Sequence, residues 1–155
     1  MTNTINLKLV SQNYDILNIP ITKLEINSEL EDFWATFVKN SVASFRKSLL
    51  RFTSDNKQYY LILDNDFITW IDNEINLKYN DELSFYVSAD ENDEFVKNAE
   101  VELNKYKKEL KLQKAYANLN LNVLSQTRIE ELNTLMFKLK AIVNFSIKPK
   151  EIKWK

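Results

Sequence analysis

The chain opens on an alternation. In "TINLKLV", residues 4–10, Ile5, Leu7 and Leu9 alternate with polar neighbours, the period of a half-buried strand. A polar turn, "SQNYD", leads into "ILNIPITKLEI", residues 16–26, a second extended run. Pro20 lies within that run and has no amide to donate, which predicts a place at a sheet edge. "SELE" then reads as a capping box, with Ser28 as N-cap and Glu31 reaching back. Leu30, Phe33, Trp34, Phe37, Val38, Val42 and Phe45 follow at helical spacing and predict an amphipathic helix to about residue 46. "SLLRFT" and "KQYYLILD" predict a hairpin around "SDNK", and "ELSFYVS", residues 82–88, a last strand with Leu83, Phe85 and Val87 on one face. The stretch between them reads as irregular.

Beyond residue 90 the period changes. Val96, Ala99, Leu103, Tyr106, Leu110, Gln113 and Ala117 recur at 3-4 spacing, a helix with a narrow apolar seam over residues 91–117. "NLNLNVLS" interrupts it. "TRIE" then opens a second helix, with Thr127 as N-cap and Glu130 three residues on. Its apolar face is Ile129, Leu132, Leu135, Met136, Leu139, Ile142 and Val143, and the end of the chain, "KPKEIKWK", reads as loose. The fold class expected is α+β. A mixed sheet packed on one helix would form a head, residues 1–90, followed by a helical hairpin with a basic tail, residues 91–155.

The order hairpin, helix, hairpin, irregular segment, strand over residues 4–89 resembles the β-grasp, or ubiquitin-like, superfold, where the second strand also lies at an edge. "NDELSFYVS" is similar to the turn and final strand of that family's small sulfur carriers. Those carriers end in a diglycine, whereas here the strand runs on into "ADENDE" and a helix. The resemblance implies a fold and carries no conjugation chemistry with it.

Composition removes several chemistries. The 155 residues contain no histidine, cysteine or glycine. Zinc sites of the usual nitrogen and sulfur kind, thiol nucleophiles and imidazole bases are therefore excluded. So are the glycine-dependent phosphate loops. Turns that need φ > 0 must use Asn or Asp. No apolar run approaches the roughly 18 residues of a membrane span, and the start has no signal-peptide pattern. A cell-interior protein, cytoplasmic or carried in a virion, is the expectation, since a chain without cysteine has no need of an oxidising compartment. The weight of Asn, Lys, Ile and Tyr suits an AT-rich coding sequence, as in a low-GC bacterium or a phage of one.

"DNDFITWIDNE", residues 64–74, is the stretch that most resembles a site. Asp64 and Asp66, joined by Asp72 or Glu74, would be the ligands of a divalent cation. A calcium loop needs oxygen ligands at positions 1, 3 and 5, glycine at 6 and glutamate at 12. Here positions 5, 6 and 12 are Ile68, Thr69 and Ile75, so a structural Asx turn after the strand is the preferred reading. No other arrangement suggests a catalytic group, and neither an enzyme nor a cofactor is expected. Trp70 and Trp154 stand outside the periodic patterns, which makes them candidate contact residues.

Charge departs most from the ordinary. Residues 1–103 carry 9 basic and 18 acidic side chains, and residues 104–155 carry 12 and 4. Lys107, Lys108, Lys111, Lys148, Lys150 and Lys153 are the candidate binding residues of the basic part. The expected function is protein-protein interaction or assembly, as an accessory component of a phage particle or similar assembly. The partner would be a protein, including a second copy met head to tail. Nucleic acid is the alternative partner of the lysines. A carboxylate-metal hydrolase at Asp64 and Asp66 is the third reading. No membrane is expected.

Overall fold

The computed structural model describes residues 3–80, 82–120 and 123–154, the side chains of residues 120, 123 and 124 excepted. The chain divides into two compact units, a sheet unit of residues 1–88 and 149–155 and a helical unit of residues 89–148. The α+β class holds, with a mixed sheet and two helices.

The sheet unit begins with β1 (Ile5–Val10), which pairs antiparallel with β2 (Ile16–Ile21). β3 (Lys23–Asn27) follows after one residue, Thr22, and pairs with β5 (Val42–Ser54). β4 (Ala35–Thr36) is a short strand against β3. β5 runs into β6 (Lys57–Ile71), and β6 into β7 (Glu74–Lys78), which returns parallel to β1. The hydrogen-bonded order is β2-β1-β7-β6-β5-β3-β4, with β8 (Phe85–Ser88) on β6 outside this path. β2 and β3 are separated by Thr22 alone, whose amide donates to the Thr53 carbonyl at 2.9 Å. Pro20 lies in β2, at the end of the order, where its missing donor costs no ladder bond.

Alternation explains the interior. Leu7, Leu9, Ile19, Ile21, Phe52, Leu61, Ile68, Ile75 and Leu77 are fully buried and form one core. At roughly 1.5–3 kcal/mol for each large apolar side chain buried, this cluster is the main stabilising term of the unit. The β5–β6 hairpin turns at Asp55 and Asn56, with φ of 50° and 62°. Two successive left-handed residues match the twist of the flanking strands. Asn40, Asn65 and Asp72 also take positive φ, as a chain without glycine requires.

Three expectations fail here. The helix over residues 30–46 does not form. Leu30 has φ 57°, which ends any helical run, and the Asn27 amide donates to the Glu31 carbonyl at 2.6 Å to close a tight loop. Residues 35–37 then pair along β3, and Val42 begins β5. Aromatic and β-branched residues at helical spacing also satisfied a strand period, and pairing partners decided between the two. The element order behind the β-grasp resemblance is therefore not the order found, because the helix it required is a loop and a strand. "EINLK", read as irregular, is β7, and its buried Ile75 and Leu77 lie at the centre of the sheet order.

The helical unit consists of α1 (Glu94–Asn120) and α2 (Val123–Phe145), after which β9 (Ile147–Pro149) leads back to the sheet unit. Within α1 the expected seam is the buried one, with Val96, Ala99 and Leu103 buried and Tyr106, Leu110, Gln113 and Ala117 partly so. Leu132, Met136, Leu139 and Ile142 do the same for α2. The Arg128 guanidinium joins the helices, donating to Glu109 at 2.8 Å and to Glu131 at 3.2 Å. Thr127 lies a turn inside α2 and so is not its N-cap. A Thr-x-x-Glu spacing also fits a helix interior, where threonine bonds back to the preceding turn, as Thr134 does to the Glu130 carbonyl. Of the interruption expected at "NLNLNVLS", residues 118–125, residues 118–120 end α1 and 123–125 open α2, both helical, and only residues 121–122 lie outside the described ones.

Candidate functional site

Asp64, Asn65 and Asp66 do not form a turn. They lie within β6, which continues unbroken to Ile71 with Asn65 at φ 54°. Register is kept on both sides, Phe45 facing Asp66 and Lys47 facing Asp64. An Asx residue tolerates the left-handed position in mid-strand, so the letters of a turn serve as a kink. Asp66 is buried. Its carboxylate accepts from the Ser48 hydroxyl and from the Phe45 amide. Burial pushes the Asp66 carboxyl up from its ordinary range, and the nearby Asp64 charge adds to this, while the two hydrogen bonds oppose it. Among the described residues no three carboxylates gather as a cation site.

The tryptophans serve the sheet unit. Trp70 packs against the core and stacks on Phe37 with ring centroids 6.3 Å apart, while its Nε1 donates to the Asp72 carbonyl. Trp154 fills an aromatic nest of Phe52, Tyr59 and Phe85, with centroids at 5.9, 5.0 and 5.2 Å. The tail is therefore not loose. The Lys150 amide donates to the Phe85 carbonyl, and Ile152 and Trp154 turn inward while Lys150 and Lys153 stay exposed. In the helical unit Lys148 pairs with Asp93 at 3.2 Å. Lys107, Lys108 and Lys111 are exposed on α1.

The charge split proves to lie within a helix. The residues of the sheet unit carry 11 basic and 13 acidic side chains, those of the helical unit 10 and 9. Both are close to neutral, so the boundary near residue 103 does not divide them. It divides α1 and the turn before it. Residues 89–103 hold six acidic side chains and one basic, and residues 104–120 five basic and one acidic. That gradient complements the helix dipole.

Two surfaces expose apolar groups next to charge. On α1, Val101, Leu112, Tyr116 and Leu119 face solvent, Val101 at 70% and Leu119 at 79% exposure. At about 100° per residue these four fall within about 60° of one another, opposite the seam. Lys105 falls in the same stripe and Lys108 at its border, with Lys111 about 80° from Val101. In the sheet unit, a groove of about 300 Å³ lies among Ile26, Phe33, Phe37, Ala43 and Phe45, rimmed by Glu29 and Glu31. Neither surface was singled out by sequence reasoning. Val101, Leu112 and Leu119 were legible as apolar residues off the seam, whereas the groove depends on the loop that replaced the helix.

A third cluster holds that loop down. Arg51 grips Glu25 through two hydrogen bonds, of 3.0 and 2.9 Å, and lies under the Trp34 ring at 4.1 Å. The hydrogen bond from Arg51 holds the buried Glu25 carboxyl below its usual range.

The family described as the UU051 N-terminal domain matches residues 4–84, the stretch that holds β1 to β7. The chain belongs to that family. The match ends before β8 and the helical unit, and it includes the loop over residues 28–41. No curated protein matches the chain. No helix among the described residues is long and apolar enough to cross a membrane.

Proposed function

We propose that this chain is a non-enzymatic protein-binding component of a larger assembly, and that the outer face of α1 is its docking face. The stripe of Val101, Leu112, Tyr116 and Leu119 carries this reading, since α1 meets α2 through the opposite face. Single exposed leucines are ordinary, but Leu112, Tyr116 and Leu119 are neighbours at 3-4 spacing and form a patch, with Val101 in line three turns before it. The partner chemistry follows from the lysines around the patch. An acidic amphipathic helix of a partner protein would lay its apolar side on the stripe and its carboxylates beside Lys105, Lys108 and Lys111, completing a three-helix contact.

The test compares affinity capture by the wild-type chain and by Leu112→Glu with Leu119→Glu, followed by reconstitution of the purified pair. Direct binding of an acidic helical partner that is lost in the double variant and weakened by salt supports the reading. Capture unchanged by the variant overturns it. Capture abolished by nuclease would assign the lysines to nucleic acid instead. A multimer of the pure chain at about 50 mM salt that dissolves at about 500 mM would assign the face to a second copy, since the Debye length falls several-fold between them.

A further inference from the structure

The groove beside β4 belongs to the other unit and needs a partner of opposite charge. Its floor is apolar, made by Phe37, Ala43 and Phe45, and Phe33 stands over it at 71% exposure. Leu30, at the start of the loop, holds φ 57°, a left-handed conformation that costs a non-glycine residue about 1–2 kcal/mol and gathers at ligand clamps. Ala35 and Thr36 line the groove and form β4, which pairs with β3 alone among the described residues. An edge strand beside an apolar slot has the parts needed to add a strand: a side without a ladder partner among the described residues and a pocket for an alternate side chain. The rim fixes the charge. Glu29 and Glu31 are exposed there, and neither is in an ion pair among the described residues.

We infer that this groove takes an extended segment of a partner protein as an added strand on β4, with one large apolar side chain in the slot and lysine or arginine on either side. The occupant is extended because the edge offers main-chain pairing, and basic because the rim carboxylates would otherwise face it unpaired. The groove lies in the sheet unit and the α1 face in the helical unit, so the inference does not rest on the proposed function.

The test is a titration of the isotope-labelled full chain with the peptide Lys-Thr-Val-Phe-Val-Thr-Lys, followed by amide NMR shifts. Shifts centred on Ala35, Thr36 and Phe37 are expected. Affinity should fall about tenfold or more for the same peptide with glutamates as flanks, and shifts should vanish for a version N-methylated along its pairing edge. Phe33→Ser, at an exposed position that leaves the core intact, should abolish binding. Glu29→Lys with Glu31→Lys should reverse the preference between the two peptides. No shift at millimolar peptide, shifts centred elsewhere, or equal response to both flanks would overturn the inference.

Discussion

Arg51 is held from two sides: Glu25 takes its guanidinium edge through two hydrogen bonds, and Trp34 covers its face at 4.1 Å. The pair is buried on the glutamate side, and the ring that covers it belongs to the loop over residues 28–41. One cation therefore ties β3, β5 and the loop together. Removing it leaves the buried carboxylate with Lys23 alone, at 3.5 Å and mostly exposed. Arg51→Met should cost about 2 kcal/mol in urea unfolding, below the roughly 3–5 kcal/mol of breaking a fully buried pair, since Arg51 is partly exposed and Lys23 remains. A loss under about 0.5 kcal/mol would mean the loop is held by other contacts.

The same pair sets an acid limb. Glu25 has its carboxyl lowered in the folded state, chiefly by the Arg51 hydrogen bond, so it contributes stability above its unfolded value of about 4.5. That contribution is lost as pH falls through the lowered folded value. Thermal melts from pH 6 to pH 2.5 should show a drop in Tm below about pH 4.5 that is smaller in Arg51→Met.

Asp66 has the opposite sign. Its carboxyl is raised by burial, so its favourable contribution is complete below the unfolded value of about 3.8 and is lost as pH rises through the folded value. Asp66→Asn keeps an acceptor oxygen for the Phe45 amide, reverses the Ser48 contact so that the new side-chain amide donates to the serine hydroxyl, and removes the buried charge. The variant should gain stability relative to wild type between pH 4 and pH 7, read as the difference in Tm at each pH. A constant difference across that range would show that Asp66 does not titrate there.

Trp154 anchors the end of the chain in the aromatic nest. Trp154→Ala should destabilise the sheet unit by about 2–3 kcal/mol, somewhat under the cost for a fully buried ring. The urea midpoint reports this, and the α1–α2 pair gives an internal control through the helical signal at 222 nm.

Asn65 tests the kink. Asn65→Val places a β-branched residue at φ 54° and should cost about 1–2 kcal/mol, whereas Asn65→Gly should be close to neutral. Equal stability of the two variants would mean that β6 relaxes out of the kink.

Much of this architecture is a matter of period and composition. The alternation in residues 4–10 and 16–26, the hairpin at Asp55–Asn56 and the seam from Val96 to Ala117 follow from which side chains can face water, and local sequence is enough to read them. The lack of histidine, cysteine and glycine determines which chemistries are closed to the chain. What the residues between 28 and 45 would become was decided elsewhere. Their spacing satisfies a helix, but β3 offers unpaired main-chain groups and Arg51 offers a cation to Trp34, and both partners come from other strands. The same holds for Trp154, whose nest is assembled from β5, β6 and β8. The groove and the buried Asp66 are likewise products of register. Side-chain period is a local property, while a partner across the sheet exists only once distant strands have paired.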